Sequence, residues 1–353
     1  MKKLIILLLA VVLLASCGNN QSKEDSSSKK VTLTAAGATF PMPFYNLAFK
    51  KYTKETGLLL TYGGIGSGGG IRSLKDQVVD FGATDAFLSD EDLKEMTFNA
   101  IHIPTCIGAV VIAYNLPGID EIKLSDQLLE DIFMGKVTNW NDSKIKKANP
   151  DVELPDTKIT VVHRSDGSGT TFIFSDYMSK ISTEWNEQVG RGKSLQWPTG
   201  LGAKGNPGVA GTISQTEGAV GYIGSEYAFA QKISYALVQN QAGNYIKPTI
   251  ESISASAQGA IPADTRVMLT NSSDPNAYPI SGFTWVILYG EQAYNGRTKA
   301  QATETAKFLQ WLISPEAQSV AQSVNYAPLP AKAVELSTEI LKSITYEGQP
   351  LLN

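Results

Sequence analysis

The sequence predicts an α/β protein with parallel sheets flanked by helices. Three observations carry this. From Val31 onward, short apolar runs alternate with segments whose apolar residues recur at helical spacing. Four of the junctions between an apolar run and the following helix are rich in glycine and hydroxyl residues. Two long apolar segments, residues 101–114 and 278–289, read as extended chain that passes from one sheet to another. In sheets of this kind ligands gather beyond the carboxyl ends of the strands, so the four junctions are candidates for one shared site.

The chain has 353 residues, enough for one large or two ordinary domains. A hydrophobic content of 42% supports a well-filled core. The formal net charge of −4 offers no basic face for nucleic acid. Residues 1–16 stand apart from the fold. Lys2 and Lys3 precede an apolar run over residues 4–14 that ends in Leu14-Ala15-Ser16-Cys17, the pattern of an export signal. The apolar stretch is shorter than the roughly 20 residues of a membrane span. Its end resembles a bacterial lipobox, which makes Cys17 the acylated first residue of the exported chain. Residues 17–30 are polar and rich in Ser, Asn and Lys, a flexible tether. Cys106 is then the one unmodified thiol, so no disulfide forms within the chain. Its apolar neighbours make it a buried packing residue.

In chain order, residues 31–36 alternate as a strand and run into Gly37-Ala38-Thr39-Phe40-Pro41. Phe44, Leu47, Phe49 and Tyr52 then recur at helical spacing up to Gly57, a helix C-cap. Residues 58–62 form a strand that enters Gly63-Gly64-Ile65-Gly66-Ser67-Gly68-Gly69-Gly70, with a helix expected over 71–79. Asp80-Phe81-Gly82-Ala83-Thr84-Asp85 is the end of another strand, and Ser89-Asp90-Glu91-Asp92 opens a helix in a capping pattern. A helix over 125–135 precedes the strand 159–162, which runs into the fourth junction, His163-Arg164-Ser165-Asp166-Gly167-Ser168-Gly169-Thr170-Thr171. Residues 219–223 read as a strand. Helices follow over 302–313, 315–324 and 331–344. Two crossings imply a first domain made of both chain ends, residues 31–104 and 277–353, with a second domain, 105–276, inserted between them.

The fourth junction places a guanidinium, hydroxyls and glycine-bared amides at a helix start, where unpaired N–H groups and the helix dipole favour an anion. A plainer role for Asp166, Ser168 and Thr170 is to cap that helix. Gly64-Ile65-Gly66-Ser67-Gly68-Gly69 also satisfies G-x-G-x-x-G, with Asp85 where a ribose-binding acid would stand. Export removes the chain from the cytoplasmic nicotinamide pool, however, and the dinucleotide pattern has no required role for Ser67. With only His102 and His163, an imidazole metal site has too few ligands, and no catalytic constellation emerges. His163 adjoins Arg164 on a strand, so it should face the other way, as packing or as a group that supports the ligands from behind. Trp140, Trp185, Trp197 and Trp285 lie among apolar partners as core or rim.

Taken together, Gly37 to Pro41, Gly64 to Gly69, Asp80 to Asp85 and Arg164 to Thr170 resemble, in order and spacing, the motifs of the phosphate-binding proteins of Pst-type phosphate ABC transporters. Gly135-Lys136-Val137-Thr138-Asn139-Trp140, Trp197-Pro198-Thr199-Gly200 and Gly218-Ala219-Val220-Gly221-Tyr222 support the match. The resemblance implies a type II periplasmic-binding-protein fold: two α/β lobes, a two-segment hinge and a cleft for inorganic phosphate. It implies phosphate ligands at Thr39 (hydroxyl), Phe40 (backbone N–H), Ser67, Asp85, Arg164, Ser168, Gly169 (backbone) and Thr170. The sequence departs from the pattern at Thr84 and Ser165, where many relatives carry Ser and Ala, and at His163, which replaces a common basic residue.

The resemblance further implies a monomeric receptor without catalytic activity, metal or cofactor. It would be held outside the cytoplasm, in the periplasm or at the cell surface, by lipid on Cys17, and would hand phosphate to the permease subunits of an ABC transporter. Within that reading Asp85 discriminates among anions. A carboxylate only accepts hydrogen bonds, and phosphate at neutral pH still has a proton to donate, whereas sulfate has none. Arg164 is expected to pair with Asp85 and keep it ionised.

Overall fold

The computed structural model describes residues 31–352. Eight strands form the main sheet: β1 (Thr32–Gly37), β2 (Leu59–Gly64), β3 (Phe81–Thr84), β4 (Ala100–Tyr114), β5 (Thr160–Arg164), β6 (Leu201–Ala203), β7 (Ala219–Gly224) and β8 (Ser281–Tyr289), in the order β2-β1-β3-β8-β4-β7-β5-β6. The α/β class and the strand-to-helix alternation are as the sequence predicts. The sheet itself differs in two ways. It is mixed, parallel within β2-β1-β3 and within β7-β5-β6 but antiparallel at its centre, where β8 pairs with β3 and β4, and β4 with β7. The two extended segments also do not join separate sheets. β4 runs 15 residues, about 50 Å of extended chain, and pairs with β8 as far as Ala109 and with β7 from Val110 onward.

That long strand explains why the junctions converge. β3 ends at Thr84, which pairs with Trp285, itself opposite Pro104 of β4. β7 ends at Gly224, opposite Val110 of the same strand. The two flanks run in opposite directions, and their carboxyl ends meet over the middle of β4.

The helices that shape the site are α1 (Met42–Thr56), α2 (Ser67–Lys75), α3 (Asp90–Lys94), α4 (Asp126–Phe133), α5 (Gly169–Ile181), α6 (Gly205–Gln215) and α7 (Ser225–Gln231). α1 ends as expected at Gly57, whose φ of 75° places it in the left-handed region. α3 carries the expected capping box between Ser89 and Asp92. α2 starts four residues earlier than the spacing predicts and stops at Lys75. Gly66, at φ 84°, turns the chain, and Gly68 to Gly70 form the first helical turn instead of a loop. Three helices follow β8, α8 (Lys299–Leu312), α9 (Pro315–Ser323) and α10 (Ala331–Lys342).

The core is one large cluster in which Trp140, Trp185 and Trp285 are fully buried, with Trp197 packed half-buried against it. Cys106 is a buried free thiol on β4, and burial pushes its ionisation well up. Among the described residues no helix is long and apolar enough to cross a membrane. Cys17 and the signal and tether segments lie outside the described residues.

Candidate anion site

All eight residues singled out by the sequence are buried, and the structure brings them together. Ser67 stands at the meeting point of three corners. Its Oγ accepts a hydrogen bond from the Gly169 N–H at 3.0 Å and another from the Asp85 N–H at 3.2 Å. The second and fourth corners also touch through backbone, where Gly68 N–H donates to the Gly167 carbonyl at 2.9 Å. A Cβ at Gly66 would lie 2.8 Å from that carbonyl oxygen, so the approach needs glycine there. The first corner is held by phenols, with Tyr227 donating to the Thr39 carbonyl and Tyr326 to that of Phe40.

Ser168 is the N-cap of α5, its Oγ accepting from Thr171 N–H at 3.0 Å. Asp166 does not cap. Arg164 holds it in a fork, Nε to Oδ1 at 2.7 Å and the terminal nitrogen to Oδ2 at 2.6 Å, and Gly205 N–H adds a third bond at 3.0 Å. Burial alone would raise the Asp166 carboxyl, but the Arg164 hydrogen bonds and charge outweigh it and hold the acid below its ordinary value.

The expected pairing of Arg164 with Asp85 is therefore corrected. The guanidinium pairs with Asp166, two residues further along the same turn and placed to take both of its fork nitrogens. Asp85, from the opposite flank, accepts instead from Thr284 Oγ1 at 2.7 Å. Burial pushes its carboxyl up to about 7, and the Thr284 hydrogen bond, the Arg164 charge and Ser67 offset that only in part.

His163 faces away from the site, as the strand alternation requires. Its ring stacks on Trp197 at 4.7 Å with planes 10° apart. Beneath Arg164, Tyr222 stacks on Phe174 at 4.5 Å, while its hydroxyl accepts from Arg164 N–H at 3.1 Å and pairs with Thr171 Oγ1 at 2.7 Å.

Several contributors escaped the sequence reading. Asn206, at the start of α6, bonds to Thr39 and to Thr170. Thr284 and Tyr227 meet the site across long sequence separations. Glu226 is a buried carboxyl beside Phe40 and Gly224, raised to about 8 by burial. The signal for Asn206 was present. Leu201-Gly202-Ala203-Lys204-Gly205-Asn206 is a fifth strand-to-helix junction with a left-handed glycine, Gly205 at φ 69°. Among the described residues no cluster of His, Cys, Asp or Glu could hold a metal ion. The site gathers hydroxyls, amide N–H groups and one neutralised guanidinium, together with two carboxyls of raised pKa, Asp85 and Glu226. That set suits a small oxyanion that retains a proton.

Comparison with known proteins agrees on the class. A model of the PBP superfamily domain matches residues 22–316. The chain is 40% identical over 310 residues to the phosphate-binding protein PstS of Xylella fastidiosa strain Temecula1, covering 86% of this chain and 83% of the relative. It is 40% identical over 308 residues to the phosphate-binding protein PstS of Haemophilus influenzae, covering 86% and 90%. A crystal structure of a putative phosphate ABC transporter substrate-binding protein with bound phosphate from Clostridium perfringens superposes with a TM-score of 0.62 at 17% identity, covering 85% of this chain and all of that one, a likeness of fold. The architecture is thus the α/β fold of type II periplasmic binding proteins. Within that superfamily, the chain belongs to the PstS family of phosphate-binding proteins.

Proposed function

We propose that this protein is an extracytoplasmic receptor that binds inorganic phosphate between the two flanks of its sheet and delivers it to the permease subunits of an ABC transporter, without chemistry of its own. The observation that carries the reading is the convergence of four sequence-distant corners on one buried cluster, three meeting at Ser67 Oγ and the first joined to the fourth through Asn206, in a chain of the PstS family. Thr39, Ser67, Ser168 and Thr170 supply hydroxyls, Phe40 and Gly169 backbone N–H groups, and Arg164 charge. Asp85 accepts the proton that phosphate retains. Hinge bending closes residues 31–104 with 277–353 on residues 105–276. The change of partner along β4, from β8 to β7, supports a hinge in that strand and its neighbour. Cys17 carries the lipid that holds the monomer at the membrane.

Titration calorimetry with phosphate and with sulfate tests the core of this reading: phosphate binds, and sulfate binds orders of magnitude more weakly. Sulfate binding as tight as phosphate would sink the role given to Asp85. For the anchor, Cys17→Ser releases the exported protein from the membrane fraction, and its retention there would overturn the lipid assignment.

A further inference from the structure

We infer that Asn206 is a positioning residue that turns the hydroxyl protons of Thr39 and Thr170 toward the bound anion. This rests on the phosphate reading above and adds to it a device that sets the polarity of the site. Asn206 is fully buried. Its amide orientation is settled by its surroundings, because Gly224 N–H, which can only donate, meets Oδ1 at 2.9 Å. The NH2 end therefore faces the two threonines, and each of its protons has a separate acceptor: Thr39 Oγ1 at 3.1 Å and Thr170 Oγ1 at 3.0 Å.

A hydroxyl has two lone pairs and one proton. Thr39 Oγ1 takes a second hydrogen bond from the Asn206 backbone N–H at 3.0 Å, and Thr170 Oγ1 takes a second from an Arg164 terminal nitrogen at 3.3 Å. In both threonines the accepting capacity is filled by groups that cannot accept in return. Each hydroxyl has only its proton left to offer, and among the described residues neither proton is donated to a protein acceptor. A free hydroxyl rotates and can show an anion either a proton or a lone pair. These two are confined to the proton. Asn206 thus makes two adaptable hydroxyls into fixed donors, one on each flank, without adding charge: Thr170 on its own lobe, and Thr39 as the two lobes close.

The test is a mutant cycle read by titration calorimetry with inorganic phosphate. The proteins are wild type, Asn206→Ala, the double variant Thr39→Val with Thr170→Val, and the triple variant. Losing oriented donors to a charged ligand should weaken phosphate binding about tenfold for Asn206→Ala in the wild-type background. In the valine background, where no hydroxyls remain to orient, the same change should cost under about twofold. An equal loss in both backgrounds would mean that Asn206 acts through the fold, by its bond to Gly224, and would overturn the inference. Asn206→Asp provides the same comparison should the alanine variant fail to fold. It keeps the size of the side chain but offers the threonine protons an acceptor, so its loss should exceed that of Asn206→Ala and shrink in the valine background. A loss that does not shrink reports charge alone and counts against the inference. Wild-type protein that fails to bind phosphate defeats the phosphate reading itself, whereas wild-type binding with background-independent losses defeats only the role of Asn206.

Discussion

Asp166 and Asp85 each follow a strand of the same sheet and lie in the same cluster, Asp85 buried and Asp166 partly so, yet they are held in opposite ways. Asp166, beyond β5, receives the Arg164 fork and a backbone N–H, and its carboxyl stays ionised to unusually low pH. Asp85, beyond β3, has a threonine hydroxyl and no ion-pair partner, and its carboxyl rises to about 7. The difference shows how the site divides its tasks. The arginine is neutralised by its own turn, so the affinity for an anion must come chiefly from hydroxyl and amide dipoles. The unneutralised acid is left close to its own titration at neutral pH, where it can tell a ligand with a proton from one without.

Replacing Asp85 should break this comparison most severely. A site built around a substrate hydrogen rejects the analogue lacking it by roughly 10⁴–10⁵. In Asp85→Asn an amide can donate as well as accept, so the phosphate-to-sulfate ratio should fall by at least about 10³. Competition titrations measure it, and an unchanged ratio would move the discrimination elsewhere. The wild type should show the same physics through pH. Protonated Asp85 can donate to sulfate, so sulfate affinity should rise about tenfold per unit as pH falls from 9 to 7 and level off below that, following the fraction of protonated acid. A sulfate affinity flat from pH 9 to 6 would place Asp85 out of contact with the anion.

On the other side of the comparison, Arg164→Ala removes the cation beside the ligand and leaves the partly buried Asp166 carboxylate without its partner. The unfolding midpoint should fall, and phosphate affinity should fall about tenfold or more, since a hydrogen bond to a charged group is worth roughly 1.5–3 kcal/mol. Arg164→Lys should recover only part of either loss, since an ammonium cannot span both carboxylate oxygens as the fork does. Full recovery by lysine would show that a point charge suffices.

The two acids also predict opposite pH dependences of stability. For Asp85 the folded pKa lies above the unfolded value, so its favourable contribution is complete below about 4 and is lost as pH rises through about 7. Asp85→Asn should therefore gain stability over wild type between pH 4 and pH 8, by a few kcal/mol at most (about 1.4 kcal/mol per pKa unit). Asp166, with a lowered pKa, contributes stability above its unfolded value that disappears on acidification, so Asp166→Asn should be destabilised at pH 7, by an amount that shrinks as pH falls below about 4. Denaturant midpoints across this range test both. Parallel trends for the two variants would show that burial and pairing do not separate these acids.

The same pair marks where the sequence was legible. Thr39, Ser67, Asp85 and the Arg164 to Thr170 turn all lie at strand ends, where glycine and hydroxyl residues interrupt apolar runs, and that local pattern is enough to nominate them. Which acid pairs with Arg164 is not a local property in the same sense. Asp166 looked like a helix cap because Asp often is one, and only the turn geometry shows Ser168 in that role and Asp166 in the fork. Thr284 reaches Asp85 across 199 residues, and Tyr227 reaches Thr39 across 188, because β8 and β7 flank β4. No spacing rule encodes those contacts. The single mixed sheet was hidden for a related reason: an apolar 15-residue strand looks the same whether it changes sheets or changes partners within one.

The smallest expected effect concerns the back of the Arg164 turn. His163 stacks flat on Trp197 with its pKa lowered by burial, facing away from the site. Its charge is therefore not aimed at the anion, and its contribution is packing. His163→Ala should cost about 1 kcal/mol of stability through the lost aromatic contact while leaving phosphate affinity within about twofold. The stack continues, however, from Trp197 to Tyr222 at 5.6 Å, and the Tyr222 hydroxyl accepts the Arg164 backbone N–H. An affinity loss of tenfold or more in His163→Ala would mean that this stack holds the Arg164 turn in register and that the turn is less self-contained than its ion pair suggests. Combining His163→Ala with Tyr222→Phe separates the two cases. Tyr222→Phe keeps the ring stack and removes the hydroxyl, so additive losses place His163 in packing alone, and losses that overlap place it in the support of Arg164.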